Sequence, residues 1–259
     1  MRILIIGAGV LGSNLAHSRK KGNDVIFIVL RFSSLDSIIP IIENNKSKNI
    51  VFVGNNISVE KYMNLKNTNV LFSFFMAASK KYDGYINSIC LNKIKIGRVD
   101  GKDISNEFIK SIFKETKIKV IIENKMNDYL KAHACAVLPL VFASYKTNGN
   151  LKLLKKDKEY SLLIMDAIIE EYDVLKKLGY EILPKGEYEN CVNKKNLYAF
   201  IYRFMFSNFI GKLCISDHAM SAREEFILLE KGFEKLKKKS KMKTKVYDKL
   251  KVEFLNYKK

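Results

Sequence analysis

Tryptophan is missing from the 259 residues, and proline occurs only three times. With so little proline, and no repeat or low-complexity stretch, nothing in the chain reads as a linker between separate modules. Cysteine is sparse as well. The four present, Cys90, Cys135, Cys191 and Cys214, stand far apart and never in C-x-x-C spacing. That excludes a zinc site of the usual ligand spacing and a redox pair, so no metal is expected. Cys135 lies in an apolar run and reads as a small buried hydrophobe. Such cysteine usage fits a reducing, cytoplasmic setting. Long apolar runs are lacking too. Ile3 to Ile6 is too short for a secretory segment. Ala134 to Tyr145 holds Pro139 and is too short to span a bilayer, so no membrane partner is expected.

Acidic residues are few: 27 against 46 lysines and arginines, a formal charge of +19. Such a balance suits nucleic acid, an anionic membrane, or phosphorylated and carboxylated ligands. Here the lysines are spread along the chain. The densest run, Lys235 to Lys245, reads as a solvated helix end and tail. No aromatic-rich basic module or helix-turn-helix pattern accompanies the charge, so no nucleic-acid partner is expected.

What is present is apolar content of 47% over a length that supports one large domain or two ordinary ones. Arg2 to Ile6 is a β-branched apolar run, predicted as a buried parallel strand. Gly7-Ala8-Gly9-Val10-Leu11-Gly12 follows, then a predicted helix from Val10 to Lys21 closed by Gly22-Asn23. Asp24 to Leu30 and Asn49 to Val53 are further strands, with a helix over Leu35 to Asn44 that Pro40 makes irregular. Val70 to Phe75, Ile94 to Ile96 and Val120 to Ile122 complete the strand candidates. After about Lys117 the pattern turns helical: Asn127 to Tyr145, Tyr160 to Leu178, Leu197 to about Phe209, and His218 to Lys239. The expected fold is therefore α/β: a Rossmann-type dinucleotide-binding half over residues 1–117 and an all-helical half over 118–259.

The glycine run sits where phosphate binding needs it, between a strand and a helix. Gly7 permits the tight turn, Gly9 lets main chain approach a pyrophosphate, and Gly12 lets the helix pack closely. The main-chain amides of residues 7–12 and the helix dipole would then cradle the phosphates. A tight turn with no ligand is the alternative. The second strand ends at Arg31, followed by Ser33 and Ser34; a basic residue there suits the 2′-phosphate of NADP. A solvated strand-end arginine is the competing reading.

Two predicted helices carry charge on an apolar face. Lys131 shares a stripe with Ala134, Cys135, Leu138 and Phe142. A buried lysine needs a partner or a use, and burial favours its neutral form, which suits proton transfer. A lysine reaching out from the helix end is the alternative. His133 has Val137, Leu140 and Val141 on its own face and reads as a core residue or a ligand group. In the last helix His218, Ala222, Glu225, Leu229, Gly232 and Leu236 form one stripe, so Glu225 is predicted to point inward and Glu224 to one side. An inward carboxylate calls for a partner: Lys131, Arg223 or a substrate hydroxyl. Ser216-Asp217 reads as the cap of that helix.

Taken together, GAGVLG, the VGNN closing the third strand, the DYLKAHACAVLPL helix and the HAMSAREEF helix resemble the ketopantoate reductase (2-dehydropantoate 2-reductase) family, over almost the whole chain. The resemblance implies NADPH-dependent reduction of a 2-keto acid to the 2-hydroxy acid in pantothenate biosynthesis. It implies Lys131 as general acid, Glu225 orienting the substrate, and Asn55 beside cofactor and substrate. It also points to His133, Ser216 and His218 as substrate-binding candidates. The chain departs from the family at Cys135 and Pro139, where asparagines are usual, and at Leu213, where a serine is usual. DVIFIVLRFSSLDSIIPIIENN resembles the family's fourth strand and the helix after it rather than its second strand. On that reading roughly 40 residues carrying strands two and three are missing, and Arg31 is not the arginine that reads NADP. A shortened relative acting as a binding or structural protein is the alternative function. A homodimer is compatible with the sequence, though no residue pattern marks its interface.

Overall fold

The computed structural model describes residues 3–7, 25–44, 47–63, 65, 69–81 and 83–257. The chain forms two compact units, Met1–Leu130 and Lys131–Lys259.

The first unit is built on a six-stranded sheet. Strands β1 (Ile3–Ile6), β2 (Val25–Ile28), β3 (Asn49–Val53) and β4 (Asn69–Lys81) run parallel. Strand β5 (Ile86–Gly97) returns antiparallel to β4, and β6 (Lys119–Ile122) lies parallel to β5. Order in the sheet equals order in the chain. Strands β2 and β3 are buried on both faces, which explains their unbroken apolar sequence. On one face Val25, Phe27, Val51, Val53 and Leu71 meet Ile109, Ile112 and Phe113. The last three belong to helix α2 (Asn106–Phe113), which begins where the Ser105 side chain accepts the Phe108 N–H. The Phe27 and Phe113 rings meet edge to face at 5.9 Å. On the other face Phe52 stacks on Phe72 at 5.1 Å and leans on Tyr62 at 5.4 Å. Helix α1 (Leu35–Glu43) joins β2 to β3 and accommodates Pro40 within it.

Two features differ from the sequence expectation. Val70 to Phe75 and Ile94 to Ile96 are only the inner halves of a long hairpin, β4–β5, that continues to the Asp83-Gly84 turn. In the outer half apolar and polar residues mix without a clean alternation and most positions are only half-buried, so the strand signal fades there. A register shift between Phe75 and Ala77 marks where the ribbon leaves the core. Strand β1, an Ile-Leu-Ile-Ile run predicted as buried, lies at the sheet edge among the described residues and is only partly covered.

The second unit is helical. Helix α3 (Met126–Lys146) begins in the first unit and carries Pro139 within its length. Helices α4 (Lys158–Lys177), α5 (Glu187–Asn193) and α6 (Lys195–Phe206) follow. The side chain of Asp157 caps α4 by accepting the Tyr160 N–H at 2.8 Å. A π-helical stretch over Lys212–Asp217 leads into the single turn α7 (His218–Ser221). Helices α8 (Arg223–Ser240) and α9 (Lys245–Asn256) end the chain. Phe142 packs on Tyr247 at 5.3 Å and on Phe254 at 5.5 Å, which holds α9 in the core. Arg223 donates to the carbonyls of Phe254 and Tyr257, both at 3.2 Å, and so caps the end of α9.

The expected continuous helix from His218 to Lys239 is broken at Ala222, whose φ of −125° and ψ of 36° leave helical geometry. The Lys235 to Lys245 run is also not a simple tail. Helix α8 ends at Ser240, Lys241 takes a left-handed φ of 59°, and α9 follows. Lys237 pairs with Asp248 at 2.6 Å and Lys251 with Glu234 at 2.6 Å, tying the two helices together. Among the described residues no helix is long and apolar enough to cross a membrane. The described cysteines are free, and no group of described His, Cys, Asp and Glu could hold a metal ion.

Candidate functional site

In an open parallel sheet the loops at the carboxyl ends of the strands are where ligands bind. Three of the predicted residues lie there, each after a neighbouring strand: Gly7 after β1, Arg31 after β2 and Asn55 after β3. Gly7 has a φ of 110°, and a Cβ on it would stand 2.2 Å from the carbonyl oxygen of Val29. Val29 in turn donates to Ile6 at 2.8 Å, so β1 and β2 run on together to this point. Only glycine fits both demands. Ala8, Gly9, Val10, Leu11 and Gly12, and the helix expected from Val10 to Lys21, lie outside the described residues.

Gly54 leaves β3 with a φ of 128° and nothing within 4 Å of a Cβ placed on it, so its outer side is open. Asn55 is half-buried and Asn56 buried. Asn56 accepts the Ser58 N–H through its Oδ1 at 2.8 Å. Its buried Nδ2 has no acceptor. An unmet donor at this depth calls for an acceptor from outside the chain. The open glycine and the orphaned amide both fit a polar ligand at the end of β3. Arg31 is exposed where the chain leaves β2.

In the helical unit the stripe predicted for α3 is buried throughout: Lys131, Ala134, Cys135, Leu138 and Phe142. The Lys131 ammonium stands 5.1 Å from the centre of the Tyr180 ring. Tyr180 also lines a cavity of about 490 Å³ together with Lys176, Ile182, Lys185 and Tyr188. Glu225 is buried and Glu224 exposed, so the sense in which α8 turns its acids was legible from the stripe. Arg223 is committed to the α9 carbonyls.

His133 on α3 and His218 at the start of α7 come close enough to couple electrostatically. Desolvation, and then the neighbouring His218, pull the His133 pKa down to about 4. The His218 ring meets Phe226 edge to face at 5.0 Å. Ser216 does not cap a helix: it is buried in the π-helical stretch and donates to the Gly149 carbonyl at 2.5 Å. Asp217 makes no side-chain cap either. Tyr145 adds a bond to the Ala219 carbonyl at 2.9 Å. Both contacts pin the Lys212–Ser221 stretch to the end of α3.

One buried group was missed in the sequence. Glu171 on α4 lies in the core, and neither carboxyl oxygen has a hydroxyl or amide partner. Burial raises its pKa well above the carboxylate range, and Glu170 adds to this. The Cys135 thiol faces it and is itself raised, by burial first and by Glu171 second. The signal was available: Glu171 falls on the apolar stripe of Ile164, Ile168 and Leu175, the same pattern that singled out Lys131.

No family model matches the sequence, and no curated protein matches it. Solved structures do match it along nearly its full length. A dimeric ketopantoate reductase from Staphylococcus aureus superposes with a TM-score of 0.72 at 10% identity, covering 99% of both chains. A ketopantoate reductase from Ralstonia eutropha gives 0.71 at 11% identity, covering 98% of this chain and 97% of the other. A D-mandelate dehydrogenase in complex with NADH gives 0.74 at 14% identity, covering 98% of each. At such identities the likeness is one of fold. The chain has the ketopantoate reductase fold, an α/β unit followed by a helical one.

Proposed function

We propose that this chain is an NADPH-dependent oxidoreductase reducing a 2-keto acid of the 2-dehydropantoate type to its 2-hydroxy acid. The observation carrying this reading is the buried Lys131 at the start of the helical unit, in a chain whose fold is shared end to end with ketopantoate reductases and an NADH-bound mandelate dehydrogenase.

Bound reduced nicotinamide supplies a hydride to the keto carbon. Lys131 stabilises the negative charge developing on the keto oxygen and delivers a proton to it from Nζ, giving the hydroxyl. The product differs from the substrate by that hydride and that proton. Glu225 holds the substrate through its hydroxyl, with Ser216, His133 and His218 lining its site. Gly7, with Ala8, Gly9, Val10, Leu11 and Gly12 after it in the sequence, would hold the pyrophosphate, and Asn55 would meet the nicotinamide. Arg31 favours NADP by meeting the 2′-phosphate.

A second reading is supported by the sheet itself. Among the described residues β1 is an edge strand and the strand order never reverses, so the switch point at which doubly wound sheets bind dinucleotides is lacking there. This favours a shortened relative with a reduced adenosine pocket that serves as a binding or structural protein. Fluorescence titration with NADPH and NADH, followed by NADPH oxidation with a panel of branched 2-keto acids, separates the two. Saturable binding with turnover supports the reductase. Saturation without turnover on any acid supports the shortened relative, and no binding of either nucleotide overturns the cofactor assignment.

A further inference from the structure

The second half of α8, the turn after it and the first turns of α9 gather cations at one corner of the helical unit. Between residues 231 and 251 stand ten lysines and two acids, Glu234 and Asp248, so this short stretch supplies an excess of eight charges to the chain's formal +19. Both acids are already taken. Lys237 holds Asp248 at 2.6 Å and Glu234 at 3.2 Å, and Lys251 holds Glu234 at 2.6 Å and Asp248 at 3.0 Å. The other eight lysines are exposed, and among the described residues none of them has an acid within ion-pair reach. Four of them, Lys231, Lys235, Lys238 and Lys239, fall at i, i+4, i+7 and i+8, one stripe of α8 opposite the face that buries Phe226, Leu229 and Phe233. Lys241 and Lys243 follow in the turn. Lys245 and Lys249 continue on α9, opposite its buried Tyr247, Leu250 and Phe254.

A row of unmatched like charges raises the local potential and attracts a ligand of equally dense negative charge. The α8 stripe runs about 12 Å, and duplex DNA presents about seven phosphate charges over that length. No large apolar or aromatic side chain is exposed between residues 231 and 249. A bilayer surface calls for an apolar anchor beside the basic residues, and a single strand for rings on which its bases stack. This corner offers neither. A duplex held through its phosphates needs only cations on a firm support. The support here is a pair of helices locked together by Lys237 and Lys251.

We propose that the α8–α9 corner binds the phosphate backbone of a nucleic-acid duplex without regard to base sequence. As sequence, the stretch is a lysine run with no binding module around it. Folding turns the run into a helix face whose neighbouring acids are spent on two other lysines. Such binding is independent of the reductase reading.

The test is fluorescence anisotropy of the full chain on a labelled 20-base-pair DNA duplex, from 50 to 200 mM salt. Six phosphate contacts would give log K a slope of about −5 against log salt, with Kd on the order of 10⁻⁴–10⁻⁶ M at physiological salt. A duplex of shuffled sequence should bind equally. K235Q/K238Q/K239Q should make the slope shallower by about three while keeping the wild-type circular dichroism and melting profile, because each lost lysine removes about one unit. K152Q/K155Q/K156Q is the control of equal charge change: these three lysines are exposed in the same unit but outside the corner, and their loss leaves the slope within about one unit of wild type. No binding at 100 µM chain in 100 mM salt overturns the proposal. A control variant that lowers the slope as much as the corner variant also overturns it, in favour of diffuse charge. So does tighter binding to phosphatidylserine vesicles through the same three corner lysines, in favour of a lipid surface.

Discussion

Replacing Glu171 by glutamine should remove a pH dependence of stability that the fold builds into its helical core. In the unfolded chain this carboxyl titrates at its ordinary value of 4.5. In the fold it is raised well above that, first by burial and then by Glu170, and neither oxygen has a hydroxyl or amide donor to stabilise its charge. The folded chain therefore keeps its proton at pH values where the unfolded chain has lost it. For a raised group the stabilisation is complete below the unfolded pKa and is lost as pH climbs towards the folded one. The slope reaches ~1.4 kcal/mol per pH unit over the range between the unfolded and the folded pKa. Against a typical total of ~5–15 kcal/mol that is a measurable share. Glutamine has the same shape and no proton to lose. Urea denaturation of wild type and E171Q across this range should give curves that diverge steadily, with the wild type falling more steeply. Parallel curves would show that the Glu171 carboxyl is ionised in the fold and would refute the reasoning.

His133 makes the opposite prediction. Its pKa is lowered from 6.5 to about 4, so its contribution is present above the unfolded value and lost as pH falls through the folded one. H133Q should flatten the acid limb of the stability profile by at most about 3 kcal/mol, less whatever solvent screening removes. G7A places a Cβ 2.2 Å from the Val29 carbonyl at a φ of 110°; backbone strain of ~1–3 kcal/mol plus the shift of β2 should lower the melting temperature by several degrees and weaken NADPH binding. K131M should lower kcat by ~10²–10⁴ while leaving NADPH affinity unchanged, read by steady-state kinetics beside a cofactor titration. R223M removes the donors to the Phe254 and Tyr257 carbonyls, charge-assisted bonds worth ~1.5–3 kcal/mol each, and should speed amide exchange at the end of α9 before any other helix.

Strong periodicity was readable and weak periodicity was not. The strand Asn49–Val53 and the long helices around Lys131 and Leu175 carry apolar residues at the spacing their geometry demands, and they appear where that spacing puts them. The outer half of the β4–β5 hairpin carries Ala-Ala-Ser-Lys-Lys against Ile-Asn-Ser-Ile-Cys and gains its strand state from main-chain pairing across the ribbon. Helix α9 looked like the sequel of a lysine-rich tail because its inward residues, Tyr247, Leu250 and Phe254, are widely separated by charge. The break at Ala222 has no sequence mark. Just before it, tertiary bonds hold Ser216 to Gly149 and Ala219 to Tyr145.

By itself the sequence determined which faces are apolar, because side-chain chemistry repeats at the period of the element that carries it. From this followed the α/β-then-helical order, the buried Lys131, and the inward Glu225 beside an outward Glu224. Only the tertiary structure decided what lies next to what: β1 at the edge of the sheet among the described residues, His133 beside His218, and Cys135 against Glu171. Such neighbours are set by how the long-range packing closes, and residues far apart in the chain carry no mark of each other until it does.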